Sequence, residues 1–158
     1  MENPEDAGAF ALSQHPRGRE SSYEGLQEHV RDLKLPALET WENQYPDREY
    51  GIKIEIPEFN CICPKTGLPD FATISIDYAP GRDCIELKSL KLYITAYRNV
   101  GIFHEHVVNR ILDDFVKAVR PRSVEIHGFF GARGGITTSV TCSWPAAGKA
   151  PGRRRGKR

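Results

Sequence analysis

Hydrophobic and polar residues alternate along four separate stretches of the chain, and each alternation predicts a β-strand with one buried face. In the first stretch, Ile52, Ile54 and Ile56 fall on the same face. The other stretches repeat this period of two, and prolines and glycines separate them. The predicted strands are residues 50–59, 71–78, 123–130 and 136–144.

The period changes to that of a helix between the second and third predicted strands. Apolar residues recur at three- and four-residue intervals over residues 104–119, which predicts a helix that ends before Pro121. A shorter helix is predicted over residues 89–98. The order ββααββ predicts the α+β class, with an antiparallel four-stranded sheet and two helices on one face. Because such a sheet leaves two edges unpaired, we expect assembly into a larger closed sheet.

Two terminal segments differ in composition from the rest of the chain. Residues 1–22 are rich in Gly, Ser, Pro and charge without hydrophobic periodicity, which predicts a flexible N-terminal arm. Residues 148–158, with the sequence GKAPGRRRGKR from position 148, predict a basic flexible tail. The periodic residues between them, 23–147, are expected to form one domain.

The composition is that of a protein with one hydrophobic core. The 158-residue chain is 39% hydrophobic and 27% charged, and its formal net charge of +1 gives no reason to expect a nucleic-acid partner. It contains no apolar run of membrane-spanning length and no secretory signal pattern. We therefore expect a cytoplasmic protein in which the cysteines are free thiols. These cysteines are Cys61, Cys63, Cys84 and Cys142.

The loop between the first two predicted strands contains the first candidate for chemistry. Its sequence, CPKTGLPD, begins at Cys63 and ends at Asp70. A loop cysteine close to a lysine, here Lys65, acts as a nucleophile when its thiolate is favoured, and an acid in the same loop can transfer a proton. The alternative from the residues alone is a buried, unreactive thiol and an aspartate that shapes the turn.

Charged residues mark the starts of both predicted helices. The segment ELKSLK, which starts at Glu86, offers lysines and backbone N–H groups to an anion, although the same pattern suits a solvated helix start. The segment FHE contains His104 and Glu105. The Glu105 carboxylate can accept two parallel hydrogen bonds from a guanine-like N1–H and 2-amino edge, and it can equally stabilise the helix start.

Arg133-Gly134-Gly135 separates the last two predicted strands. Structurally, this segment predicts a hairpin turn. Functionally, an arginine beside exposed backbone N–H groups is suited to a phosphate. The chain contains no GxGxxG motif, so any dinucleotide binding is not of the Rossmann kind.

Four segments in this order match a known family. CPKTGLPDF, ELKSLKLY, RN-x-G-x-FHE and RGGI closely resemble the NADPH-dependent 7-cyano-7-deazaguanine reductases, in particular their short single-domain branch. The resemblance extends over residues 45–146 and shows no departure at a catalytic position. One such motif is weak evidence, whereas four in order, in a chain of the right length, are strong evidence.

The resemblance implies an enzyme that reduces the nitrile of 7-cyano-7-deazaguanine to a primary amine with two NADPH, in the biosynthesis of the tRNA nucleoside queuosine. Cys63 matches the nucleophile that forms a covalent thioimide, and Asp70 matches the proton donor. The matching substrate contacts are Ile85, Glu86, Leu87, His104 and Glu105. The matching cofactor contacts are Leu87, Lys88, Arg133 and Gly134.

The resemblance also implies the tunnelling fold, in which subunits form barrel-like rings with active sites between them. This agrees with the unpaired sheet edges. We therefore expect a homo-oligomer that needs no metal, contacts no membrane and makes no direct contact with nucleic acid.

Two alternatives start from other residues. The tunnelling fold also occurs in GTP cyclohydrolase I, and the pairs Cys61–Cys63 and His104–His106 offer four zinc ligands, although two close pairs are not a zinc-finger spacing. The basic tail could bind RNA through its charge, although no aromatic residues lie between its basic residues for stacking. A metal assay and a tRNA-binding assay would separate these alternatives from the reductase.

Overall fold

A computed structural model describes residues 25–145 of the chain, so the predicted N-terminal arm (1–22) and basic tail (148–158) lie outside the described residues. Six strands and two α-helices follow one another within this range, together with two short 3₁₀ helices, Glu28–Asp32 and Tyr97–Asn99. In chain order the elements are β1 (Thr40–Glu42), β2 (Ile52–Ile62), β3 (Pro69–Ala79), β4 (Asp83–Ile85), α1 (Leu87–Ala96), α2 (His104–Val119), β5 (Ser123–Arg133) and β6 (Ile136–Trp144).

The four long strands form one antiparallel sheet in the order β2-β3-β5-β6. Its register places Ile74 of β3 opposite both Ile56 of β2 and Gly128 of β5. The α+β class and the antiparallel sheet with two helices, which the hydrophobic pattern predicted, are therefore confirmed. β2 and β6 are the unpaired edges of this sheet.

A second sheet was not predicted. Strands β1 and β4 have three residues each and pair antiparallel, with Thr40 opposite Ile85. All three residues of β1 are exposed, so this strand has no alternation of hydrophobic and polar positions to detect. Only its pairing with a distant segment makes it a strand.

The buried face of the large sheet packs against α2. Val108, Ile111 and Phe115 of α2 are fully buried, and the Phe115 ring meets Tyr78 of β3 edge-on at 5.1 Å between centroids. Gly128 permits this close approach, because a Cβ there would lie 2.7 Å from a Val108 methyl carbon. Neither α-helix of the described range is long and apolar enough to cross a membrane.

The opposite face of the sheet is open in the single chain. It exposes two large aromatic side chains, Phe71 (62% exposed) and Phe129 (48% exposed). Exposed apolar side chains of this size on a sheet face are typical of a surface that another molecule covers.

A β-bulge in β2 determines which residues of its second half face the core. The register with β3 shifts between Ile56 and Phe59, where Pro57 interrupts the ladder. Before the bulge the even-numbered isoleucines face inward, and after it the odd-numbered Phe59 and Cys61 are buried. The bulge therefore brings Cys61 into the core.

Candidate functional site

The end of β2 lies beside the segment that precedes α2. Ile62 forms a parallel bridge with Gly101, in which the Ile62 N–H donates to Val100 O (2.9 Å) and the Ile102 N–H donates to Ile62 O (3.0 Å). Cys63 follows this bridge by one residue on one strand, and His104 follows it by three residues on the other. The bridge therefore joins two motifs that are about forty residues apart in the sequence.

Cys63 begins a tight loop, as the sequence predicted. The Cys63 N–H donates to Leu68 O (2.8 Å), and the Gly67 N–H donates to Cys63 O (2.9 Å). Gly67 has a φ of +70°, a conformation that glycine adopts without steric cost. The loop therefore turns back on itself beneath the thiol, and Cys63 is only 7% exposed.

This loop favours the thiolate of Cys63. Burial by itself raises the pKa of the Cys63 thiol. Hydrogen bonds from the hydroxyl and backbone N–H of Thr66, and from the backbone N–H of Lys65, act in the opposite direction. The Arg133 side chain adds a further hydrogen bond, and the net result is a pKa of Cys63 below that of an ordinary cysteine.

Asp70 lies in strand β3, which begins two residues before the predicted start of that strand. It is opposite Cys61 in the ladder with β2 and is 3% exposed. Its Oδ2 atom lies 3.1 Å from Nε2 of His104, which is also buried. The His104 ring stacks on Phe130 at 3.8 Å between centroids with a 9° angle between the ring planes. Packing on Phe130 therefore orients the imidazole toward the carboxylate.

Arg133 covers this buried pair. Its Nη1 atom lies 2.5 Å from Asp70 Oδ1, and its Nη2 atom donates to His104 Nε2 at 3.0 Å. The Arg133 side chain is 46% exposed, whereas the Asp70 side chain is 3% exposed. A register shift between Phe130 and Arg133 precedes this contact, and bulges of this kind redirect side chains.

The β5–β6 connection is the hairpin turn that the sequence predicted. Arg133 pairs with Ile136 across it, and both central residues have positive φ: 55° at Gly134 and 79° at Gly135. This is the condition for a two-residue type I′ turn, which glycines satisfy. A Cβ at either glycine would meet nothing within 4 Å, so their backbone is open to a ligand.

Glu105 occupies the first turn of α2, next to His104, and is exposed. Phe103, the N-cap residue of this helix, provides no capping hydrogen bond from its own side chain. Among residues 25–145, the Glu105 carboxylate has no hydrogen-bond or ion-pair partner, and only its backbone oxygen is used, by Asn109. The carboxylate therefore remains open to a ligand.

The other predicted substrate stretch, Ile85 to Leu87, lies at the start of α1. The Glu86 carboxylate caps this helix by accepting from the backbone N–H groups of Lys88 (2.8 Å) and Ser89 (2.6 Å), and these bonds lower the pKa of Glu86. Ile85 is buried, whereas Leu87 and Lys88 are exposed. Among the described residues, no hydrogen bond or ion pair joins this stretch to Cys63.

The predicted site residues thus form two groups in the single chain. The first group is linked through contacts with Arg133 and consists of Cys63, Asp70, His104, Arg133 and the turn at Gly134, with Glu105 next to His104 in α2. The second group is at the start of α1 and consists of Ile85, Glu86, Leu87 and Lys88. The exposed cations of both groups and the open glycine turn have the donor chemistry that the phosphates of NADPH require.

Three residues near the site were not predicted. Thr66 is in a motif we identified, but its role as donor to Cys63 requires knowledge of the loop conformation. Phe130 appeared only as an apolar strand residue. Gln27 fixes the start of α2, because its Oε1 accepts from the Phe103 N–H at 3.0 Å and lies 2.8 Å from His106 Nδ1. Nothing in the sequence indicates this last contact.

Two of the four residues of the zinc alternative, Cys61 and His106, have separate partners. The Cys61 thiol donates to Ile102 O at 3.8 Å, and His106 contacts Gln27. Within residues 25–145, no three His, Cys, Asp or Glu side chains lie close enough to share a metal ion. The geometry therefore does not assemble that ligand set.

Comparison with protein families gives one match, to a family described as "QueF-like protein", over residues 69–149. Curated proteins named NADPH-dependent 7-cyano-7-deazaguanine reductase are similar to most of the chain. The protein from Chloroherpeton thalassium is 58% identical over 114 residues, which are 72% of this chain and 98% of the relative. The protein from Chlorobium phaeovibrioides is 55% identical over 116 residues, covering 73% and 100%.

A solved structure shares the fold. The crystal structure of the archaeosine synthase QueF-Like in the apo form aligns with a TM-score of 0.53 over 60% of this chain and 91% of that chain. Its sequence is 21% identical, so this similarity establishes the fold and carries no further argument about chemistry.

Proposed function

This chain belongs to the QueF-like family of NADPH-dependent 7-cyano-7-deazaguanine reductases, and from that premise we propose that it reduces the nitrile of 7-cyano-7-deazaguanine to the 7-aminomethyl product. The reaction consumes two NADPH and belongs to queuosine biosynthesis. The observation that best supports this proposal is a loop thiol with a lowered pKa beside a buried acid–imidazole pair.

Cys63 begins the reaction in this proposal. Its thiolate forms a bond to the nitrile carbon, one C–N π bond breaks, and the nitrogen takes a proton to give a thioimide. A linear nitrile thereby becomes a C=N group that accepts hydride. The loop N–H groups of Lys65 and Thr66 support this step because they favour the attacking thiolate.

Asp70 supplies to the substrate nitrogen the protons that accompany hydride addition. Hydride addition to C=N places negative charge on nitrogen, so an acid is needed within hydrogen-bond distance. The His104 imidazole, held by Phe130, orients the Asp70 carboxyl and is next to Glu105, which accepts hydrogen bonds from the guanine-like edge of the substrate.

NADPH, when bound, supplies the two hydrides that reduce the nitrile carbon to the amine. Lys88 and Arg133 are the cations that would hold its phosphates, with the open backbone at Gly134. Leu87, which is 61% exposed, offers an apolar surface beside Lys88.

We also infer that the enzyme is a homo-oligomer with the tunnelling fold and that its active sites lie between subunits. Within residues 25–145 no hydrogen bond or ion pair joins the two groups of site residues, which supports this inference, since a neighbouring subunit can bring the start of its α1 to the thiol of the first. The exposed Phe71 and Phe129 and the unpaired β2 and β6 edges provide surfaces for such contacts. We assign the reaction to the cytoplasm, where thiols such as Cys63 stay reduced.

The decisive experiment measures NADPH oxidation with 7-cyano-7-deazaguanine and identifies the product by mass. We expect two NADPH consumed per nitrile and a product heavier by four hydrogens, because each hydride is accompanied by one proton. NADPH oxidation without an aminomethyl product would reject the proposal, as would the absence of oxidation in a folded protein.

Glu105→Gln tests the substrate assignment separately. A Gln amide presents a donor to the donor edge of the substrate, so we expect substrate binding to weaken by about 1–3 kcal/mol while NADPH binding is preserved. Calorimetric titrations with each ligand provide the comparison. Equal losses for both ligands would contradict the role of Glu105.

A further inference from the structure

Arg133 contacts three ionisable groups of the thiol site, which are Cys63, Asp70 and His104. Its two terminal nitrogens lie 2.5 Å from Asp70 Oδ1 and 3.0 Å from His104 Nε2, and the same side chain hydrogen-bonds Cys63. It is also the most exposed member of this cluster, and it ends strand β5 next to the two-glycine turn. It is therefore the member that can change partners most easily.

The Nε2 atom of His104 has two hydrogen-bond partners that it cannot satisfy at the same time. The Nε2 atom can either donate one hydrogen bond or accept one, yet it faces Asp70 Oδ2 at 3.1 Å and an Arg133 donor at 3.0 Å. If Nε2 is protonated and donates to Asp70, the Arg133 N–H faces another donor and cannot bond to it. If Nε2 accepts from Arg133, it has no proton to give to Asp70. Removal of Arg133 resolves this conflict and leaves the Asp70–His104 pair able to share a proton.

We propose that Arg133 is a positioning residue that binds first the cluster of Cys63, Asp70 and His104 and then a phosphate of the cofactor. This proposal rests on the proposed function. In the cofactor-free enzyme its guanidinium holds Cys63, Asp70 and His104 in place for addition of the thiolate to the nitrile. A phosphate of the bound cofactor then takes the guanidinium, because a phosphate dianion competes well with a single carboxylate for an arginine. Asp70 and His104 are thereby released for proton transfer to the substrate nitrogen.

The test measures the rate of Cys63 alkylation by iodoacetamide as a function of pH, with the labelled residue identified by peptide mass. Arg133→Ala should slow alkylation about fivefold to tenfold at neutral pH and shift the profile to higher pH, since one charged donor to the thiolate is lost. Arg133→Lys should restore part of the rate. Arg98→Ala, which removes an exposed arginine outside the cluster, should keep the original profile.

A second arm adds saturating NADP⁺, which has the phosphates but no hydride to donate. We expect NADP⁺ to move the pH profile of Cys63 alkylation in the unmodified protein toward the profile of Arg133→Ala. An Arg133→Ala profile identical to the original, with only the calorimetric affinity for NADP⁺ weakened, would make Arg133 a cofactor contact alone. An unchanged profile with NADP⁺ bound, as measured by calorimetry, would overturn the exchange of partners. Because alkylation needs no nitrile, these outcomes are independent of whether the reductase assay succeeds.

Discussion

The end of strand β2 and the loop that follows it contain two cysteines whose thiol pKa values are shifted in opposite directions. Cys61 is still in the ladder, 0% exposed, and burial together with the charge of Asp70 raises the pKa of its thiol to about 12. Cys63 is two residues farther along, outside the ladder, and its pKa is lowered despite burial. The two residues have the same side chain and nearly the same place in the sequence.

The difference lies in what the backbone N–H groups do. Cys61 is part of the ladder with β3, and the pKa of its thiol is set by burial and by nearby charges. In the loop, which lies outside the ladder, the backbone N–H groups of Lys65 and Thr66 hydrogen-bond the sulfur of Cys63. The pKa of a cysteine here is lowered only where the chain has left the sheet. Cys61 is two residues away from Cys63, and its pKa is not lowered.

The largest expected effect separates the two cysteines directly. Cys63→Ala should lower turnover by roughly a thousandfold or more, because no other side chain can form the thioimide, while Cys61→Ala should keep turnover within a few fold. Intact mass after mixing with the nitrile, without NADPH, should show one whole substrate added in the second variant and none in the first. An adduct that maps to Cys61 would refute the assignment.

Asp70→Asn should affect the two cysteines differently. Loss of the proton donor should lower kcat on the order of a hundredfold, while thioimide formation at Cys63 should persist. Since the Asp70 charge contributes to the raised pKa of Cys61, the same variant should lower that pKa. Steady-state kinetics and alkylation of both cysteines provide the two measurements. Full kcat in Asp70→Asn would exclude Asp70 as the acid.

The pH dependence of labelling distinguishes the two thiols without any substitution. Only the thiolate reacts, so labelling of each cysteine rises with pH through its own pKa. Because the pKa of Cys63 is lowered and that of Cys61 is about 12, iodoacetamide near neutral pH should modify Cys63 and spare Cys61. Peptide mass mapping over a pH series measures both. Equal labelling of the two at neutral pH would contradict this difference.

The smallest expected effect concerns Thr66. Thr66→Val removes the hydroxyl that stabilises the thiolate, which should raise the pKa of Cys63. Labelling of Cys63 at neutral pH should then slow about fivefold, because the free energy of a typical hydrogen bond corresponds to a factor of that size. Thr66→Ser retains a hydroxyl and serves as the matched control. If both variants label alike, the backbone N–H groups alone account for the lowered pKa.

Most long elements of the fold could be predicted from local patterns. Helix α2 has the predicted bounds, and β6 also matches, because both have a clear period and a defined end. β1 could not be predicted, since three exposed residues have no pattern. β2 continues to Ile62, three residues beyond its predicted end, because its last residues pair with β3 at Asp70 and Pro69.

The family and the candidate residues were also accessible from the sequence, because four motifs in order specify them. The roles taken from that resemblance for Cys63, Asp70 and Glu105 stay predictions until the experiments above are done. What the motifs did not indicate is the contact of Arg133 with Asp70 and His104. That contact depends on a bulge and a glycine turn that direct the Arg133 side chain toward Asp70. The spacing of the motifs in the sequence does not predict this direction.

The sequence by itself therefore determined the class of fold, the family and the segments that contain the chemistry, since local periodicity and short motifs are properties of the chain. Only the tertiary structure decided which of two nearby cysteines has the lowered pKa and which charges surround it. The physical reason is that a thiol's pKa depends on burial and on the direction of nearby N–H groups and charges. For Cys63 these are set by the conformation of its own loop, at Lys65 and Thr66, and by the distant Arg133, and neither can be derived from local periodicity.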